Sequence, residues 1–163
     1  MKWFLDFEAS SLNLIHSYPI EVGWCDENGE NGQSYLIIPH ENWTDWDAGS
    51  QSIHKIKRRD LFDYGIPGNQ VAQIMNEALE GKDIHVDGGQ YDEFWCNRLF
   101  VASNLDRKFK FQGYYELVEK ECSHQTYICF IKEWTQSFTM HRALADAKKQ
   151  ADFYKRYKNN SNV

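Results

Sequence analysis

Two carboxylates one residue apart, Asp6 and Glu8, stand near the start of the chain in Lys2-Trp3-Phe4-Leu5-Asp6-Phe7-Glu8. The apolar run reads as a buried strand, and side chains along a strand alternate faces. Asp6 and Glu8 therefore point one way, and Leu5 and Phe7 the other. Acids on one face at the end of a buried strand are costly without a partner. A hard dication, Mg²⁺ or Mn²⁺, suits such oxygen donors better than Zn²⁺. The competing reading ends the strand at Leu5 and leaves two solvated acids in the next turn. Asp92 follows a strand and a Gly-Gly turn in Gln90-Tyr91-Asp92-Glu93-Phe94-Trp95. The ends of strands in open α/β sheets bind ligands, although an acid there can equally serve the dipole of its helix. His141 and Asp146 are five residues apart, ~500° around a helix. They converge only if His141 sits on the lead-in and Asp146 inside the helix. Singly, a loop histidine and a solvated aspartate explain them as well.

The elements that would position these groups are legible in outline. After Glu8 comes a small polar turn, Ala9-Ser10-Ser11-Leu12-Asn13, where a backbone can approach a ligand closely. Strands follow over Ile20–Cys25 and Ser34–Pro39, separated by Asp26-Glu27-Asn28-Gly29 and Asn31-Gly32 turns, which makes an antiparallel meander. Trp43, Trp46 and Asp47 lie in a loop leading to Ser52-Ile53-His54-Lys55-Ile56. Asn69 caps a helix running to about Glu80 with Val71, Ile74, Met75 and Ala78 at helical spacing. Asp83–Asp87 is the next strand, and Gly88-Gly89 turns it into a helix carrying Phe94, Trp95, Leu99 and Phe100. Strand, helix, strand, helix implies a parallel crossover and an α/β sheet. Phe109-Lys110-Phe111 reads as a short strand and Tyr114 to Val118 as a helical turn. Tyr127 to Phe138 reads as a helix burying Ile128, Ile131 and Trp134. A last helix spans Arg142 to about Tyr157 with Ala143, Ala147 and Ala151 on one face, and 159–163 is a frayed tail.

With 163 residues, the chain is expected to form one domain, residues 1–158, with a real core. A net charge of −6 argues against holding long nucleic acid on a broad basic face. It leaves room for an enzyme whose acids are metal ligands and whose substrate is short. The start of the chain does not read as a signal peptide, and no stretch is apolar enough to span a membrane. Cys25, Cys96, Cys122 and Cys129 form no Cys-x-x-Cys pair and read as free thiols in a reducing, cytoplasmic setting. Cys122, His124 and Cys129 lack standard zinc spacing.

Together, the acids and the histidine match a known constellation. Asp6-Phe7-Glu8-Ala9-Ser10-Ser11-Leu12, Tyr91-Asp92-Glu93-Phe94-Trp95 and His141 to Asp146 occur in the order and contexts of the three motifs of the DEDDh 3′→5′ exonucleases. The chain resembles that family, which includes polymerase proofreading domains, oligoribonuclease and RNase T, over nearly its whole length. Ile20-Glu21-Val22-Gly23 and Ile53-His54-Lys55-Ile56 are similar to further family features. Ser11 and Lys55 stand where many members have Gly, and Gly88-Gly89-Gln90 replaces an Asn-rich turn. The resemblance implies an RNase H-like fold and two-metal hydrolysis of phosphodiesters. Asp6, Glu8, Asp92 and Asp146 would hold two Mg²⁺ or Mn²⁺ ions. Asp6 would bridge them, Glu8 and Asp146 would complete one, and Asp92 would hold the other. His141 would be the general base, since an unperturbed imidazole titrates near ~6.5. Ser10, Ser11 and Leu12 would contact substrate, Leu12 wedging against the terminal base, with His54 and Trp46 near the terminal nucleotide. The partner is single-stranded or short nucleic acid with a 3′ end, not a membrane, and a homodimer is expected because many relatives are dimers. A non-catalytic binding domain of this fold, or an RNase H-like endonuclease or transferase, are the rivals. Neither needs His141 at this spacing.

Overall fold

A computed structural model describes residues 1–159. Beyond position 159, the tail expected from the sequence lies outside the described residues. The N-terminal meander is present: β1 (Lys2–Ala9), β2 (Pro19–Asp26) and β3 (Gln33–Ile38) pair antiparallel. Three further strands complete a mixed sheet, β4 (Ile66–Pro67), β5 (Asp83–Val86) and β6 (Phe111–Gly113). The order is β4-β3-β2-β1-β5-β6, with β5 parallel to both β1 and β6, and β4 parallel to β3. Among the described residues, seven helices flank it: α1 (Ala48–His54), α2 (Arg58–Tyr64), α3 (Gly68–Leu79), α4 (Gln90–Ala102), α5 (Tyr114–Glu121), α6 (His124–Gln136) and α7 (Ala143–Asn159). This is the α/β, RNase H-like arrangement expected.

The period of two in β1 divides the core. Trp3, Leu5 and Phe7 join α3 and α4 through Val71, Met75, Trp95 and Leu99. Phe4 faces the other way, into Tyr114, Phe130, Trp134, Ala147, Ala151 and Tyr154. Asp6 and Glu8 continue the Phe4 face, so both acids lie on the α7 side. Helix α7 can approach closely because its sheet-facing row is Ala143, Ala147 and Ala151, all buried. The sheet answers with Gly23, paired with Asp6. A Cβ there would lie 2.7 Å from the Ala143 carbonyl carbon, inside the backbone of the first turn of α7.

Four local expectations need correction. Asn69 is not the cap of α3, which begins at Gly68 behind Pro67. Pairing of Ile66 and Pro67 with Ile37 and Ile38 draws the preceding residues into the sheet and brings the helix start forward. In α6 the inward residues are Phe130 and Trp134. Ile128 is half exposed, because the large rings of Phe153 and Tyr157 on α7 take the ring of Phe130 instead. Strand β6 begins at Phe111, since Phe109 turns edge-on against Phe100 in the core. Finally, the α6 helix stops at Gln136, leaving Ser137–Arg142 as the lead-in to α7.

Candidate active site

Strands β1 and β5 are hydrogen-bonded only from Lys2–Asp83 to Phe4–His85. Beyond that pair they part, and the crevice opens at the carboxyl ends of two parallel strands, where α/β sheets bind ligands. Side chains, not a neighbouring strand, satisfy the backbone facing the gap. The Leu5 carbonyl accepts from Gln150 Nε2 at 3.3 Å, and that nitrogen also donates to Asp87 Oδ1 at 3.0 Å. Asp92, buried in the first turn of α4, accepts from the Gly88 N–H at 3.0 Å and from the Phe7 backbone.

Two sets of donor atoms result, each lying within 4.8 Å of one another. One joins Glu8, His141 and Asp146, and the other Asp6, Asp87 and Asp92. All five residues expected to carry the chemistry are thus gathered at one crevice. Asp87 is an addition. It closes β5 before Gly88-Gly89, and the strand-end argument that singled out Asp6 applies equally to it. The acids crowd one another electrostatically. Burial, then Asp146 and Glu21, pushes Glu8 up to about 8, against Arg142. Burial and Asp87 push Asp92 up to about 8, against its backbone hydrogen bonds. Asp87 rises to about 6, chiefly through burial. Burial, Asp92, Asp87 and Glu8 hold Asp6 well above the usual carboxylate range. Burial raises Asp146, and the Met140 N–H and the charges of His141 and Lys149 oppose it.

The lead-in to α7 is pinned at two points. Glu21 lies directly opposite Glu8 in the β1–β2 register and is buried. It accepts from Arg142 Nη2 at 2.7 Å and Nε at 3.0 Å, and from the Ala143 N–H at 3.0 Å. One carboxylate thus satisfies an orphan N–H at the start of α7 and fixes the residue after His141. On the other side, Asp146 Oδ1 accepts from the Met140 N–H at 3.2 Å. Between these anchors His141 takes a left-handed backbone, φ 53°, which is uncommon for a residue with a Cβ.

Of the residues expected to touch substrate, Leu12 is 68% exposed and lines the crevice on both sides of Glu8. His54 is buried at the end of α1, where its Nδ1 accepts from the Ile56 N–H at 3.0 Å and its Nε2 has no partner. That acceptor role leaves the proton on Nε2. The hydroxyls of Ser10 and Ser11 donate to Asp45 at 2.8 and 2.7 Å. They hold the turn; Ser11 lines the crevice and Ser10 does not. Trp46 donates to Gln51 at 2.9 Å and stands edge-on behind His54. In place of Trp46, the rings of Phe7 and Trp95 line this part of the crevice, Trp95 anchored by its Nε1–H on Ser17. Three arginines are engaged within the chain: Arg58 bonds the Trp43 carbonyl, Arg59 pairs with Asp63, and Arg107 forks onto Glu93. Among the described residues, Cys122, His124 and Cys129 form no metal-ligating group.

No family model matches the sequence, and no curated protein is similar to it in sequence. Solved structures do match in shape. Escherichia coli exonuclease I in its zinc-bound complex with single-stranded DNA superposes with a TM-score of 0.73 at 12% identity, over 97% of this chain and 40% of that one. The same enzyme bound to a dT13 oligonucleotide gives 0.73 at 12% identity, over 96% and 40%. A 3′-exonuclease that recognises the 3′ end of the histone mRNA stem-loop gives 0.69 at 14% identity, over 99% and 65%. The chain has the fold of these 3′ exonucleases. It spans about two fifths of the length of the exonuclease I chains.

Proposed function

We propose that the chain removes nucleotides from the 3′ end of single-stranded or short DNA or RNA by metal-dependent hydrolysis. The observation that carries this reading is the convergence of Asp6, Glu8, Asp92, Asp146 and His141 on one crevice of a fold shared with 3′ exonucleases. The donors fit hard dications. Five carboxyl groups are held together with raised proton affinities, and such a set is stabilised by divalent cations with oxygen preference. Asp6, Asp87 and Asp92 would hold one Mg²⁺ or Mn²⁺, and Glu8 with Asp146 the other. When bound, a pair of such ions neutralises charge at phosphorus and steadies the attacking and leaving oxygens.

The rest falls to the chain. Leu12 would pack on the terminal base, and His54 Nε2–H would donate to the terminal sugar. The His141 imidazole would take the proton of the attacking water, which needs a ring poised over the acids. Glu21 and Arg142 hold that ring's backbone in place. The deciding experiment is a panel of end-labelled DNA and RNA oligonucleotides, single-stranded and blunt duplex, incubated with Mg²⁺, Mn²⁺ or EDTA. Mononucleotides should appear from 3′ ends, faster from single strands, and only with metal. Internal cleavage would favour the endonuclease reading, and binding without any release would favour the non-catalytic one.

A further inference from the structure

Two cavities flank the acid cluster and share Phe7, Glu8, Leu12, Trp95 and His141 as their common wall. The smaller, about 150 Å³, is also lined by Ile53 and His54. The larger, about 500 Å³, runs past Asp6, Asp87 and Asp146 to Tyr115, Trp134, Thr139 and Lys149. A strand cut at its 3′ end needs one compartment for the terminal nucleoside and an open one for the strand that continues. By size, the smaller cavity suits the first and the larger one the second.

Among the described residues, Lys149 is the only Lys or Arg lining either cavity. It projects from α7 one turn beyond Asp146. Its Nζ donates to Thr139 Oγ1 at 2.7 Å and sits 4.3 Å from the centre of the Trp134 ring. An ammonium has three N–H donors, and only one is used. Thr139 accepts from Lys149, so its own O–H remains to be donated. Asp146 and Asp87 bear on Lys149 electrostatically, but neither closes an ion pair with it. A positioned cation and a hydroxyl, both with donors to spare, beside a cluster of acids that repels anions, form a receptor for one phosphodiester oxygen pair.

Resting on the nuclease reading above, we propose that Lys149 and Thr139 bind the phosphate one step upstream of the scissile one, the 5′-phosphate of the penultimate nucleotide. They are then specificity residues that make the chain act on nucleic acid strands in preference to isolated nucleotide esters. Because Thr139 is two residues before His141 on the same lead-in, occupation of this subsite also steadies the segment that carries the imidazole.

The test compares two substrates with the same scissile phosphate: a single-stranded oligonucleotide, and the p-nitrophenyl ester of thymidine 5′-monophosphate, which has no upstream phosphate. Lys149→Met should lower kcat/KM on the oligonucleotide roughly 10- to 100-fold more than on the aryl ester. Lys149→Arg should restore most of the difference, and Thr139→Val should show it in weaker form. Independently of any variant, a methylphosphonate replacing the penultimate 5′-phosphate should cost the unaltered protein a similar factor, and Lys149→Met should add little on that substrate. Equal losses on both substrates, or losses that multiply with the methylphosphonate, would overturn the subsite and make Lys149 a counterion of the acids. Release of nucleotide from neither substrate by the unaltered protein would overturn the nuclease reading, and the subsite with it.

Discussion

Without a dication, the clustered carboxyl groups work against the fold that gathers them. Glu8 and Asp92 are raised to about 8 and Asp87 to about 6, from ordinary values near 4. The folded chain therefore keeps protons that the unfolded chain has released. By linkage, stability is full below the unfolded values and falls as pH rises between about 4 and about 8. The metal-free protein should melt at a lower temperature at pH 8 than at pH 5. Mn²⁺ at a hundred times its Kd should then add about 2.7 kcal/mol, or about 5–10 °C for a domain of this size. Asp6→Asn should flatten the pH slope and abolish the Mn²⁺ shift. A metal-free melting temperature unchanged across that window, by calorimetry in EDTA, rejects the crowding. His141 should separate from the acids. His141→Ala should lose about 10²–10⁴-fold in kcat while keeping most of the Mn²⁺ melting shift, whereas Asp146→Asn loses both. Near-normal turnover by His141→Ala would leave it an ordinary loop residue. Asp6, Glu8, Asp92, His141 and Asp146 were legible because their types and spacing are chemical. Asp87 reads from sequence only as the end of a strand, and Glu21 matters only once register places it opposite Glu8.

At the scale of elements, the site depends on how α7 meets the sheet. Glu21 caps its first turn and clamps Arg142, and Gly23 provides the gap into which that turn fits. Glu21→Ala should cost about 1–2 kcal/mol of stability through the lost cap and lower kcat more than it raises KM, because it loosens the His141 segment. Unchanged kcat with only lower stability would make the clamp purely structural. The long elements were readable from their periods. Helix α3 shows Val71, Met75 and Leu79, and α7 shows its alanine row. The short ones were not: β4 has two residues and β6 three. Pieces of that length carry no period, and they exist because a neighbouring strand offers them hydrogen bonds. The inward face of α6 is not set by its own sequence, for a related reason. Ile128 and Phe130 are both apolar, and which one turns inward is decided by rings on another helix.

For the whole molecule, the meander and the parallel crossover could be inferred from strand and turn signals, but the parting of β1 and β5 that makes the crevice could not. The acidic balance, net −6, agrees with a substrate held by a few phosphates. Arg58, Arg59 and Arg107 are engaged within the chain. Aromatic residues make up 15% of the chain, and many of them serve the core. Phe4, Tyr114, Phe130, Trp134, Phe153 and Tyr157 stack into one interior cluster. Among the described residues, no helix is long and apolar enough to cross a membrane. The homodimer proposed from the resemblance is tested by light scattering over a wide concentration range; a mass that stays at about 19.3 kDa rejects it.

The parting of β1 and β5 has a consequence for how an inactive variant should be made. Half of β1 is in effect a sheet edge buried inside the molecule, and exposed edges recruit other strands. Asp92 closes that edge by accepting from the Phe7 backbone while it serves the crevice. Asp92→Ala would silence the site and unlatch the seam together. Asp92→Asn keeps a carbonyl acceptor for the Phe7 N–H while weakening the grip on a dication. In the metal-free protein, the Phe7 amide should exchange with deuterium roughly tenfold faster or more in the alanine variant than in the asparagine one, and only the alanine variant should grow prone to aggregate. Equal exchange in the two would mean that the seam is held by Gln150 alone.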